Sequence, residues 1–483
     1  MQPSTDTQLT SRDSARSRTG RVGLIRRSLP GLVFLLAFVS LAHAGTQQSP
    51  NQYPSPTVKN PAAKGVFESY EWEKNKLSGG WAGIRSKMAE YGLAIDIQYA
   101  AVVMQNTHGG FDSGMVGGGP LGVTATVDTE NLLGLKGGTL FFDWEFYNWY
   151  NQRYAPGDTF DPTGSYVGAN TNFIDSDQST LNQIAQLYYR QAFLDDQLAL
   201  TFGKMDANAP FSSIQAAGAF QNSIAMYTST LNAFIPTYPN ESTGLMGEIG
   251  NSDSIKLKLG WFDGTSAAYD PSTGTTGPST GARGPETFFH NDGHWWLVAQ
   301  MDLAWTLKGE LPGNVGLGAW LQTGRVATGG FDQAGVTDVP GWYIQWEQTL
   351  WTLNADLAQN GGGLVFFGQF GWSDPDKNPV HWSLMAGLSA TGFLSKRPAD
   401  SIGIMFAYSR FTENPGIYQS TRRDGSPGPT GGAESSLEAY YIAQWSSWSY
   451  LQPGLMWIHT PGAGDPAPLK DDVLMYVVVG VDF

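Results

Sequence analysis

The segment VLMYVVVGVDF, Val473 to Phe483, puts Val473, Met475, Val477, Val479, Val481 and Phe483 on one parity and the more mixed Leu474, Tyr476, Val478, Gly480 and Asp482 on the other. Successive side chains of a strand point to opposite faces, and about 9–11 tilted residues suffice to cross a bilayer as β-structure. The segment therefore has the length and alternation of a membrane-crossing strand, and it ends on an aromatic residue. At the other end of the chain, six arginines between Arg12 and Arg27 precede an apolar stretch from Leu29 to Leu41 and the small-residue pattern Ala42-His43-Ala44. This is the pattern of a secretory signal peptide cleaved after Ala44. The apolar stretch is too short, and carries Pro30, to act as a stable helical anchor. A secretion signal, a strand of this kind and the absence of cysteine together point to the bacterial outer membrane.

The bulk composition agrees. Glycine is frequent, with 60 residues in 483, aromatic residues make up 13% and charged residues only 15%. Many short strands with aromatic ends fit this profile better than helices do. Removing residues 1–44 takes away six arginines, Asp6 and Asp13, leaving 22 basic against 41 acidic residues. Nucleic acid is thereby excluded as a natural partner, and the acidity reads most simply as solubility of exposed loops. With no cysteine in an exported chain, stability must come from the sheet itself.

No apolar run after residue 44 approaches the roughly 20 residues of a spanning helix, so a membrane-spanning form has to be a closed barrel that satisfies every backbone group in lipid. Period-2 segments bounded by turn residues are expected at residues 93–103, 121–128, 138–149, 184–193, 197–204, 244–250, 254–262, 294–307, 313–323, 341–350, 363–372, 380–389, 401–411, 435–445, 449–459 and 473–483. The connections alternate. Residues 104–120, 150–183, 205–243, 263–293, 324–340, 412–434 and 460–472 are mostly long, whereas Asp195-Asp196, Asn251 to Asp253 and Ser446 to Trp448 are tight turns. Residues 351–362 and 390–400 are longer than a minimal turn, and 373–379 is short for the opposite side. Long loops on one side, short turns on the other and an even strand count are the architecture of an outer-membrane barrel.

Within the strands the faces separate. Ile95, Ile97, Tyr99 and Val103 oppose Asp96 and Gln98, while Leu140, Phe142, Trp144 and Phe146 oppose Thr139, Asp143 and Glu145. Ile255, Leu257, Leu259 and Trp261 oppose Lys256 and Lys258 in the same way. A soluble sandwich would alternate identically with its apolar face turned inward, but there is no sign of the second apolar layer or helices that a soluble sheet needs. The expected fold is all-β: a sixteen-stranded antiparallel transmembrane β-barrel over residues 93–483 with a short N-terminal periplasmic helix. A signal peptide (1–44) and a linker (45–76) come first. The helical segment (77–92) has Ile84 and Met88 one turn apart and Gly92 as its stop.

Several segments resemble the OprB-type carbohydrate-selective porins. Leu77-Ser-Gly-Gly-Trp-Ala-Gly-Ile-Arg85, followed by Met88-Ala-Glu-Tyr-Gly-Leu93, is similar to that family's Trp-Gly-Gly-x-Arg helix, with Ala82 in place of the usual glycine. Phe202-Gly-Lys-Met-Asp-Ala-Asn208 resembles its Gly-Lys-x-Asp-Ala stretch, and Leu257 to Gly264, ending Trp-Phe-Asp-Gly, its Gly-x-x-Asp-Gly strand end. Ala407-Tyr-Ser-Arg-Phe411, Leu437-Glu-Ala-Tyr-Tyr441 and Tyr450-Leu-Gln-Pro-Gly-Leu455 resemble its last strands in order. The resemblance spans residues 77–483. It implies a sixteen-stranded barrel that lets sugars cross the outer membrane passively, with outer loops folded into the lumen to narrow it. Family likeness does not fix the solute.

A sugar is neutral, rich in hydroxyls and has apolar ring faces, so a selective pore needs opposed hydrogen-bonding groups and aromatic platforms. Candidates for the lumen side are Asp96, Asp143, Glu145, Arg190, Lys256, Lys258, Glu347 and Glu438, with Lys204 and Asp206 at the start of the 205–243 loop. The plain alternative is that these are wet interior residues bonding one another across the wall. Trp296 and Trp320 fall on the parity that could stack on a sugar, whereas Trp144, Trp261, Trp305, Trp346 and Trp457 fall on the lipid or girdle side. Enzyme-like patterns are weak in context. Gly277-Pro-Ser279-Thr-Gly281 lies in a loop rather than a strand-to-helix elbow, His290 and His294 flank Gly293, and Asp374-x-Asp376-x-Asn378 has Pro379 where a calcium loop needs glycine.

The expected function is a diffusion porin for carbohydrates or similar small polar solutes, with no catalysis, cofactor or metal. Its partners would be outer-membrane lipids and lipopolysaccharide, small sugars or other polar solutes, and in a homotrimer further copies of itself. Trimer or monomer is left open. The alternatives are a secreted all-β glycoside-active enzyme using Asp143 and Glu145, and a structural or receptor-type outer-membrane barrel.

Overall fold

The computed structural model describes residues 75–483 apart from residues 149, 152–161, 167–179, 252–253, 271–274, 277–282, 309, 328–334 and 353–362. The expected signal peptide, most of the expected linker and the Gly277 to Gly281 pattern lie outside the described residues.

Sixteen antiparallel strands close into one barrel. They are β1 (Leu93–His108), β2 (Gly114–Gly118 continued by Pro120–Asp128), β3 (Gly138–Asn148 continued by Tyr150–Asn151), β4 (Thr180–Phe193), β5 (Leu198–Met205), β6 (Ser242–Gly250), β7 (Ile255–Asp263), β8 (Trp295–Leu307), β9 (Leu311–Val326), β10 (Val336–Trp351), β11 (Gly363–Ser373), β12 (Val380–Thr391), β13 (Ser401–Phe411), β14 (Ala433–Ser446), β15 (Ser449–His459) and β16 (Asp472–Asp482). Each pairs with its sequence neighbours, and β1 pairs with β16 from Gln98↔Asp482 to His108↔Val473, which closes the ring. All sixteen expected segments are strands, many of them longer than expected at the long-loop end. Closure removes every free edge, the condition lipid imposes on a sheet.

The outward parity carries the apolar side chains. Leu200, Leu245, Leu257, Trp261, Trp305, Ile404, Phe406, Leu437, Trp457 and Met475 are all exposed. In a protein of this architecture they form the lipid-facing belt. Its aromatics adjoin across strands, as in Trp342–Phe370 (5.5 Å between rings), Phe370–Trp382 (6.1 Å) and Trp382–Tyr408 (5.0 Å). Glycine supplies room for rings on the wall: a Cβ at Gly454 would lie 2.0 Å from Cζ of Tyr476 on the paired strand, so no other residue fits there.

A seven-residue helix, α1 (Ile84–Glu90), preceded by a 3-10 turn at Trp81–Gly83, lies at the short-turn end before β1. Gly92 ends it at φ +76, a left-handed conformation that glycine adopts without penalty. A second short helix, α2 (Thr129–Leu133), fills the β2–β3 turn. Its N-cap Asp128 accepts from the amides of Glu130 and Asn131.

The core lies inside the barrel. Residues 206–241, between β5 and β6, fold into the lumen as an inner arm with 3-10 turns at Gln215–Ala217, Ser223–Ala225 and Ser229–Leu231. Phe211, Ile214, Phe220, Ile224 and Leu231 of the arm are essentially fully buried. Each contributes about 1.5–3 kcal/mol by leaving water. They pack in two clusters against the inner faces of the wall, one with Phe367, Met405, Tyr440, Met456 and Tyr476, the other with Phe262, Trp296, Trp320 and Tyr343. The interior is thus apolar where the arm covers it, rather than wetter throughout as the alternation alone suggests.

Candidate functional site

The lumen is shaped by how the arm is fastened. Glu438 on β14 accepts from the backbone amides of Gln221 (2.7 Å) and Asn222 (2.9 Å), and from the Tyr476 hydroxyl (2.6 Å). Glu347 on β10 accepts from the amide of Ala216 (2.5 Å) and from Asn314 Nδ2 (3.2 Å). Gln345 Nε2 donates to Ser213 O (2.9 Å), Gln452 Nε2 to Ala219 O (2.6 Å) and Gln369 Nε2 to Ile224 O. Gln300 Oε1 accepts from the Ser212 amide (3.1 Å). Asn378, in the turn after β11 that resembles the start of a calcium loop, donates through Nδ2 to Thr230 O (2.8 Å). These groups sit on inward parity because the alternation puts them there, and the arm brings the backbone donors and acceptors that satisfy them.

The two ends of the arm meet at β3, β4 and β5. Asp143, Glu145, Lys204, Asp206 and Glu241 are all buried there. Gln186 Nε2 donates to Asp143 Oδ2 (3.3 Å) while its Oε1 accepts from the Asp206 amide (3.1 Å). Gln183 Nε2 donates to Glu241 Oε2 (3.2 Å), and Lys204 Nζ to the carbonyl of Ile184 (2.7 Å). Burial pushes the Asp206 carboxyl up to about 6, against the pull of its hydrogen bonds from Thr237 and the Asn208 amide. Burial likewise pushes Glu241 up to about 8, against the attraction of Lys204. Burial at the base of the arm therefore raises both carboxyls, Glu241 above neutrality.

A second inward group lies on β4, β6, β7 and β8. Arg190 donates to Asp196 Oδ1 (2.6 Å) and Glu248 Oε2 (3.1 Å), and Glu248 also pairs with Lys256 (2.8 Å). Lys258 pairs with Asp302 (2.7 Å) and reaches the carbonyl of Pro210 on the arm. Near the short-turn end, Asp96 pairs with the buried Lys76 at 2.8 Å. Apart from Lys76, these side chains are only partly buried.

The expected candidates thus divide. Asp96, Arg190, Lys256 and Lys258 stay partly exposed within ion pairs. Asp143, Glu145, Lys204 and Asp206 gather at the base of the arm, and Glu347 and Glu438 hold its middle. Trp296 is fully buried against Phe211 and Phe262, and Trp320 stacks on Phe234 at 5.4 Å, so the arm covers both rings on the face where a sugar was expected. Asp302 was missed. It lies opposite Lys256 in the β7–β8 register, and that cross-strand pairing was the signal available. His290 Nδ1 bonds to Glu286 O and His294 to the carbonyls of Asn291 and Arg325. Among the described residues no group of three or more His, Asp or Glu is arranged to hold a metal.

Residues 114–483 match the family model described as carbohydrate-selective porin, OprB family. Porin B of Pseudomonas aeruginosa is 21% identical over 439 residues, which cover 84% of this chain and 91% of that protein. The high-pH structure of Pseudomonas putida OprB is similar with a TM-score of 0.66 at 18% identity, over 85% of this chain and 99% of that one. The low-pH structure of the same protein gives 0.51 at 14% identity, over 86% and 100%. The structural likenesses speak to the fold.

Proposed function

We infer the function from one premise: this chain belongs to the carbohydrate-selective porin family, OprB. It is an outer-membrane porin that lets sugars or similar small polar solutes diffuse across the bacterial outer membrane, and its family and fold are those of porins rather than of enzymes. The observation that carries the reading is a closed sixteen-stranded ring with an apolar outer belt and an arm fastened inside it. A ring of this kind isolates a polar path from lipid, and the arm reduces that path to a width at which solute size and hydrogen bonding decide passage.

Within this frame we assign solute contact to the partly exposed ion pairs Arg190–Glu248–Lys256 and Lys258–Asp302 and to Asp96, which the buried Lys76 pairs. The buried Asp143, Glu145, Lys204, Asp206 and Glu438 and the half-buried Glu347 are assigned to holding the arm. Paired charges favour neutral solutes rich in hydroxyls, because an ion would have to displace a partner whereas a sugar adds hydrogen bonds at the pair's edge. A glycoside-active site is not supported by Asp143 and Glu145, two buried residues of one strand face rather than carboxyls flanking a substrate.

The test is osmotic swelling of liposomes carrying the purified protein, across sugars, amino acids and salts. Sugars of monosaccharide size should accelerate swelling beyond protein-free vesicles; equal rates would overturn the porin reading. We further propose a homotrimer whose subunits bury one sector of the belt against each other. The protein mass of the detergent-extracted particle decides this, and the mass of one chain would exclude it.

A further inference from the structure

The short-turn end of the barrel carries an apolar patch that neither the belt nor the lumen explains. In the β2–β3 turn, Leu132 and Leu133 of α2 and the following Leu135 are all exposed, Leu133 to 66%. The turn is held against the end of β4: Gln191 Nε2 donates to the carbonyl of Lys136 (2.9 Å), and the Ala192 amide donates to the carbonyl of Gly137 (2.8 Å). That sets the turn carrying the three leucines at the end of β4, where Phe193 and Leu194 are also exposed, Leu194 to 72%. Five large apolar side chains thus share one sector of the rim. The position is fixed rather than incidental, since Asp128 caps α2, Gly134 ends it at φ +73, and Gly92 after α1 lies so close to Asp128 and Asn131 that a Cβ there would be 2.9 Å away.

We propose that this leucine turn is an anchor that dips into the inner leaflet of the outer membrane, with phospholipid acyl chains as its occupant. The inference rests on the barrel being the outer-membrane porin described above. Its argument is continuity. Directly above the turn, on the same outward parity, Leu140 of β3, Leu187 of β4 and Leu200 of β5 belong to the lipid-facing belt. The leucines extend this belt past the ends of the strands in this sector. Lys136, exposed beside Leu135, is the kind of residue that lines a membrane interface, since a lysine stem can lie along apolar surface while its ammonium meets lipid phosphates. A short apolar turn with a basic neighbour lying in the headgroup boundary is an interfacial anchor in miniature.

The chain contains no cysteine, so single-cysteine variants can be labelled at one site. Leu133→Cys, Ile404→Cys in the belt and Glu413→Cys in an outer loop would each carry an environment-sensitive fluorophore. The folded proteins would be reconstituted in phosphatidylethanolamine–phosphatidylglycerol vesicles with and without brominated acyl chains. Folding of each variant is checked by its heat-dependent shift on SDS gels. The proposal expects brominated lipid to quench Leu133→Cys at least half as strongly as Ile404→Cys and several-fold more than Glu413→Cys. Quenching at Ile404→Cys but not at Leu133→Cys would overturn the anchor and leave the barrel intact. The absence of quenching at both would instead overturn the membrane reading on which the anchor rests. A Leu133→Cys signal that turns apolar only when periplasmic proteins are added would assign the patch to a protein partner and overturn the lipid one.

Discussion

Glu438 gathers three donors at once, two of them backbone amides of the arm and the third the Tyr476 hydroxyl. Replacing it by alanine would leave the amides of Gln221 and Asn222 buried without partners, at about 1–3 kcal/mol each. The expected outcome for Glu438→Ala is a barrel that still forms, since the strand ladders are untouched, with an arm that no longer stays against the wall. Planar-bilayer recordings should then show larger and noisier single-channel currents than the parent protein. Unchanged, quiet currents would show that the arm does not depend on this residue. The sequence made Glu438 visible as an inward-facing acid on a strand but could not reveal what it meets. Its partners are backbone amides more than two hundred positions away, and backbone atoms carry no sequence signature. Trp296 and Trp320 illustrate the same limit: parity gives the face of a strand, and only the path of the arm decides whether that face is wet.

Among the elements, the strands were the most legible. Alternation over eight or more residues with turn residues at both ends leaves few other readings, which is why even β4, with Gln191 on the outer parity, was found. That glutamine proved no obstacle, because it bonds to the Lys136 carbonyl and to the Tyr189 hydroxyl at the rim. The inner arm was read as one more long outer loop. Its composition held the correction: Phe211, Ile214, Phe220, Ile224, Leu231 and Phe234 are too many large apolar side chains for a loop in water. The matching clue lay in the second face of the late strands, where Leu474, Tyr476 and Val478 looked mixed rather than wet. Two apolar surfaces without declared partners are each other's partner. At the short-turn end, α1 was legible from one helical turn and its terminal glycine, but not the contacts it makes.

For the molecule as a whole, the decisive joint is the seam between β1 and β16, and α1 fastens it. Arg85, almost fully buried, donates from Nη1 to the Gly79 carbonyl (2.7 Å) and from Nη2 to the main-chain oxygen of Phe483 (2.6 Å), with its guanidinium 4.0 Å from the Trp81 ring centre. The Leu77 amide adds a bond to the Asp482 carbonyl (2.8 Å). Charged hydrogen bonds of this kind contribute about 1.5–3 kcal/mol. Arg85→Ala should therefore lower, by several degrees, the temperature at which the compact form gives way to the unfolded one on SDS gels, with solute passage at room temperature unaltered. A transition at the parent temperature would show that the seam holds without its clasp.

The arm, finally, is gripped chiefly by its main chain: Ser212, Ser213, Ala216, Ala219, Gln221, Asn222, Ile224 and Thr230 all meet the wall through peptide N–H or C=O groups. A grip of that kind is indifferent to which side chains the arm turns toward the channel. Descendants of this gene could exchange those side chains one at a time, and so drift from one nutrient to another, without rebuilding the scaffold that holds them.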